Sequence, residues 1–249
     1  YSLIRSQIAY RKKMKKEALK EEVNETVAKL SQTTNSREAL ALFRKHSREE
    51  NQAVLLFAAD SLEKSVDAIE TENLRELRRI LNEVDEKRIH LKQVKRVGTL
   101  GVNQIEQDIA IDKGLYYYQG NDFASEIIYS IRRLVDPAKE HIDNNFHPLS
   151  EEQKNDLNQL VPSVVTFLHN CAGMLQKVNY YPLDSLVAES VQLSGKINIM
   201  KKRELKRIQK DDGSSTKTSL LYLTILHEIL NVLQFTTNLI KVSRKFQLE

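Results

Sequence analysis

Three groups of side chains in this sequence are of types that do chemistry. Asp122 and Glu126 lie four residues apart on a strip continued by Tyr129 and Arg133. That spacing holds the two carboxylates one turn apart on one side of a helix. His141, Asn144, Asn145 and His147 fall around the run DNNFHP. Two imidazoles and two amides could ligate a metal or an anion. Asn side chains also satisfy the last carbonyls of a helix and tolerate left-handed backbone, and this capping role is the favoured reading. Arg11, Lys12, Lys13, Lys15 and Lys16 form a basic cluster. It reads as a solvated helix face, as a segment held against anionic lipid headgroups, or as a phosphate-binding run on nucleic acid, the least favoured of the three. The lone Cys171 sits among apolar residues with no base patterned beside it, which marks a buried thiol. His46, His90 and His169 stand isolated. There is no Gly-rich phosphate loop, no Ser-His-Asp pattern and no CxxC pair, so an enzyme is not expected.

The elements that must position these groups are helices. Only 7 glycines and 4 prolines occur among 249 residues, while Leu, Lys, Glu, Arg and Ile abound. That balance predicts an all-α protein. The single cysteine excludes an internal disulfide and points to a reducing compartment. No apolar run approaches the roughly 18–20 residues that span a bilayer, and the expectation is a domain outside the membrane.

The helix carrying the acids is the clearest. Phe123, Ile127, Ile131, Leu134 and Ala138 form one stripe, predicting a helix from about 113 to 142 with a kink or break at Pro137. Pro148 ends the turn that follows, and Ser150 with Gln153 forms a capping box for the next helix.

In chain order, a sparsely apolar first helix covers about 2–30: Leu3, Ile4, Ile8, Met14, Leu19, Val23, Val27 and Leu30. A linker at 33–35 leads to a helix over about 36–69, with Asn35 and Glu38 as its capping box and the polar interval 45–52 as a break or an exposed overhang. A third helix starts at Asn73. Gly98 and Gly101 mark either a bend in it or a close helix–helix contact. Beyond 150, helices are predicted over about 150–178, broken or kinked near Pro162, and over 183–210 and 217–246, with 211–215 as a loop. The last helix carries two apolar stripes and belongs between neighbours in a bundle.

The run NDFASEIIYSIRRLVDPAKEHIDNNFHPLSEEQ resembles the cytosolic PhoU-like domain of bacterial inorganic phosphate transporters. The resemblance implies a bundle of two similar three-helix units: here an N-terminal basic helix at 1–34 linking to the membrane, then units at 35–148 and 149–247. It implies a regulatory domain at the cytoplasmic face of the inner membrane that tunes phosphate uptake. Its partners would be the transmembrane portion of the same chain, the anionic membrane surface and a second copy of itself. The alternative is a free-standing PhoU-like regulator or adaptor of phosphate signalling. The family carries acid-x-x-x-acid motifs that hold iron or zinc. Asp122 and Glu126 are the nearest match. Elsewhere the second acid is missing, since Glu83 meets Lys87, Glu189 meets Leu193, and Asn231 and Val232 follow Glu228. The expectation is no cofactor, or at most a weakly held cation at Asp122 and Glu126.

Overall fold

The computed structural model describes Glu17, residues 25–209 and residues 216–248. Residues 25–32 are helical, and after them come α1 (Ser36–Glu70), α2 (Leu74–Gln104), α3 (Gln107–Asp143), α4 (Glu151–Lys177), α5 (Leu183–Ile208) and α6 (Thr216–Leu248). The protein is an all-α bundle. The basic cluster Arg11, Lys12, Lys13, Lys15 and Lys16 and the loop 211–215 lie outside the described residues.

Helices α1, α2 and α3 pack on one another, and so do α4, α5 and α6. The most extensive contacts join the two sets: α3 lies along α6 and α1 along α4. One apolar core therefore runs through both, from Val54 and Leu62 on α1 and Ile127 and Leu134 on α3 to Phe167 on α4 and Leu226 and Leu233 on α6. A second, smaller cluster closes one end of the bundle. There Leu30, Phe43, Val97, Ile105, Tyr117 and Phe246 meet, with Phe43 and Tyr117 ring centroids 4.4 Å apart.

Several local expectations are corrected. The interval 45–52 is neither a break nor an overhang. Helix α1 runs through it, with His46, Ser47 and Asn51 buried; the Asn51 amide donates to the Ser243 hydroxyl on α6 (3.3 Å), and Glu50 meets His90 of α2 (2.8 Å). Pro137 does not interrupt α3, which begins at Gln107 rather than near 113, and Pro162 does not break α4. The turn before it is set by Ile105, which is extended and buried in the end cluster, and by a hydrogen bond from the Glu106 amide to the Ser36 hydroxyl (2.9 Å). Asn35 caps α1 by accepting from the Arg37 amide (2.9 Å), not in a reciprocal box with Glu38. The box at Ser150 and Gln153 is present in both directions.

Gly98 and Gly101 make a close contact, and α2 runs unbroken through both. A Cβ on Gly98 would fall within the Tyr117 ring, and one on Gly101 would lie 2.7 Å from the Phe43 ring. Finally, α6 is by length and composition apolar enough to cross a membrane, against the expectation that no such run exists. Its apolarity has a packing account: α6 touches α1, α3, α4 and α5, and Ile225, Leu226, Ile229, Leu233 and Ile240 are fully buried.

Candidate functional site

The turn between α3 and α4 is built as a cap. The Asn144 side chain donates to the Glu140 carbonyl (2.8 Å), and Asn145 takes the left-handed backbone (φ 53°) that asparagine tolerates. The Phe146 amide then bonds back to the His141 carbonyl (3.2 Å). His141 is buried, and its Nε2 donates to the His147 carbonyl (2.8 Å), which also accepts from the Thr218 hydroxyl on α6 (2.8 Å). That bond places the proton on Nε2 and turns the nitrogen away from any cation. Phe146 lies edge-on to His141, with the Lys217 ammonium 3.7 Å from its ring centroid. His147 is exposed. The two imidazoles thus do not converge. The four residues fasten the end of α3 to the start of α6.

Asp122 and Glu126 line an open groove of about 390 Å³ between α2 and α3. The α2 wall supplies Arg88, Leu91, Lys92 and Lys95, and the α3 wall adds Ser125 and Tyr129. Asp122 pairs with Lys95 at 2.8 Å, and Glu126 with Arg133 at 3.5 Å. The Arg88 guanidinium donates to the Tyr129 hydroxyl (2.6 Å) and to Asp85 (2.9 Å), and its own hydrogen bond holds the Tyr129 hydroxyl below the usual phenol value. Cations already occupy the positions that a metal would need. Among the described residues no three His, Cys, Asp or Glu side chains come together as a metal site. Purified protein is therefore expected to carry no stoichiometric iron or zinc, and elemental analysis showing one metal per chain would contradict this.

No protein-family model matches this chain, and neither a curated protein nor a solved structure does.

Sequence reasoning missed the charged groups that link helices through the interior. His90, read as isolated, meets Glu50 of α1 with Nε2 at 2.8 and 3.0 Å from the two carboxylate oxygens, and Lys87 stands 3.7 Å from the same group. Burial alone would raise the Glu50 pKa. The His90 hydrogen bond and the charges of Lys87, His90 and His46 outweigh it, and the carboxyl sits below its ordinary value. Its contribution to stability is complete above the unfolded-state value and is lost as pH falls through the lowered one.

Glu228, whose four-residue partner was missing from the sequence, is buried and answers Arg133 across the α3–α6 seam (3.0 Å) and Asn231 (3.0 Å). Glu204, also buried, accepts from the Gln153 amide (2.9 Å) and from Arg207. Tyr222 donates to Asp156 (2.5 Å), which also pairs with Arg203. The signal for these links was a carboxylate on an otherwise apolar face. Nothing in a linear sequence names the partner 40 or more residues away.

Chemically, the site offers cation-lined recognition and helix fastening. Cys171 is fully buried, and burial pushes its thiol well above the usual thiol range, so no thiolate is supplied there.

Proposed function

We propose that this chain is the cytosolic regulatory domain of an inorganic phosphate transporter, tuning phosphate uptake through contacts with the transmembrane portion. The observation that carries the reading is the pairing of α1 with α4 and α3 with α6. The first and the third helices of the two three-helix sets thus face one another, which suits the two units packed side by side that the resemblance over 121–153 implies. The basic run at 11–16 supports a position beside the cytoplasmic face of the inner membrane, where excess Lys and Arg collect.

The experiment is phosphate uptake by cells that encode this protein, with residues 36–248 deleted from the gene or left intact. The expected result is altered uptake, together with a gene product that stays in the membrane after alkaline washing. Unchanged uptake overturns the proposal. Altered uptake with a product released by washing replaces it with a free-standing PhoU-like regulator.

A further inference from the structure

Helix α5 lies at the edge of the bundle. Among the described residues it touches only α4 and α6. Its inner side buries Leu186, Leu193 and Ile197. Its outer side carries Ala188, Val191, Gly195 and Ile199, with Asp184 one turn before them and Lys202 and Lys206 after. Steps of three and four keep all of these on one stripe. The stripe is exposed throughout. Val191 and Ile199 are each 67% exposed, and no atom lies within 4 Å of a Cβ built on Gly195. Helix formation alone does not select these residues. A surface stretch chosen for propensity carries Ala, Glu, Lys or Gln, while here two β-branched residues flank a glycine. They leave a bare apolar strip with a hollow at its middle.

The ends of the strip are opposite in charge. Asp184, Lys202 and Lys206 form no ion pair among the described residues. The neighbouring bases Arg203 and Arg207 are engaged within the chain, by Asp156 and Glu204. The stripe is also symmetric in spacing. Val191 and Ile199 lie four residues to either side of Gly195, Ala188 and Lys202 seven, and Asp184 and Lys206 eleven. A second copy laid antiparallel, on a two-fold axis through Gly195, therefore brings glycine to glycine and Val191 to Ile199 of the other chain. It sets Asp184 beside Lys206, with Lys202 one turn away on the same side. Ala188 gives room for the Lys202 stem. A parallel pairing would bring Asp184 to Asp184 and lysine to lysine, and fails on charge.

We propose that two copies of this chain dock through the outer face of α5, antiparallel, with Gly195 at the point of closest approach. Val191 and Ile199 of the two copies cover one another, and the Asp184 carboxylate of each sits between Lys202 and Lys206 of the other. Such an interface uses one patch twice and closes on itself. The ion pairs stand about 16 Å to either side of the axis, at 1.5 Å per residue. A single helix seam is small for a protein interface, so the association is reversible and depends on concentration.

Sedimentation of the full chain at low ionic strength, from about 1 to about 500 μM, tests it over the range suited to a small interface. The expected result is a shift from one-chain to two-chain mass as concentration rises. Gly195→Leu should abolish the shift, yet melt no lower than the parent in dilute solution, since leucine is the better helix former and the site is open. Asp184→Lys alone, and Lys202→Asp with Lys206→Asp, should each weaken self-association roughly ten-fold, because like charges then meet at both ends. An equimolar mixture of those two variants should recover it, since each chain now complements the other. One-chain mass at every concentration overturns the docking. A dimer that survives Gly195→Leu overturns the face. Charge variants that associate as well as the parent, or a mixture that recovers nothing, overturn the antiparallel register.

Discussion

Leu226→Asp is expected to lower the stability of the domain by about 4 kcal/mol, which for a domain of this size is a fall in Tm of roughly 10 °C. Leu226 is fully buried on α6, in the core that α6 shares with α3. Two terms add there. Removing the isobutyl group leaves unfilled volume that the neighbours cannot close. The carboxylate arrives without water or a partner. The second term depends on pH. Burial raises the folded-state pKa of the new acid, so the penalty is smallest where it is protonated in both states, grows as pH rises through the unfolded value, and is complete above the folded one. Leu205→Asp on α5, at a site 51% exposed, is the comparison and should move Tm little. Thermal melts at pH 4 and pH 7 measure both. Equal melts for the two variants would remove α6 from the centre of the bundle.

Gly98→Ala should destabilise by about 2 kcal/mol, although alanine is the better helix former by about 1 kcal/mol. The new Cβ falls in the Tyr117 ring. Tyr117 cannot retreat: Phe43 lies 4.4 Å and Phe246 5.8 Å from it, centroid to centroid, and its hydroxyl donates to the Val94 carbonyl (3.2 Å). Overpacking of this kind costs up to about 3 kcal/mol and exceeds the propensity gain. Gly195→Ala isolates that gain. No atom lies within 4 Å of a Cβ built there, so the change should stabilise by about 0.5–1 kcal/mol. Denaturant titration of the two variants must give opposite signs. A stabilised Gly98→Ala would mean that α2 and α3 do not approach so closely.

How much of this was legible in the sequence follows from what periodicity can encode. Stripes such as Phe123, Ile127, Ile131 and Leu134 repeat every three or four residues whatever they pack against, so the helices and the all-α class could be read directly. The Ser150–Gln153 box is local and was equally plain. Gly98 and Gly101 signalled that something special occurs there. Choosing between a bend and a close approach required Tyr117 and Phe43, which lie far along the chain. The interval 45–52 misled because a buried polar residue looks exposed until its partner is known, and His90 is 40 residues from Glu50. At the site, the capping role of Asn144 and Asn145 was readable from side-chain chemistry. The Glu228–Arg133 link was not, since it exists only once α3 lies on α6. The phosphate-transport proposal rests on the resemblance and on the pairing of helices, and the uptake experiment decides it.

The pairing of α1 with α4 and α3 with α6 has a mechanical consequence. A hinge between two lobes needs a thin, wet boundary, whereas here the boundary carries the most extensive helix contacts and one continuous apolar core. Twisting one lobe against the other would expose Ile127, Leu134, Leu226 and Leu233 together, at about 25 cal/mol for each Å² uncovered. Helix α3 alone, at 37 residues, spans about 55 Å at 1.5 Å per residue. The body is thus a stiff strut with the Tyr117 cluster at one end and the His141–His147 turn at the other. A displacement at the first end is therefore carried to the second through one continuous apolar core rather than through a linker.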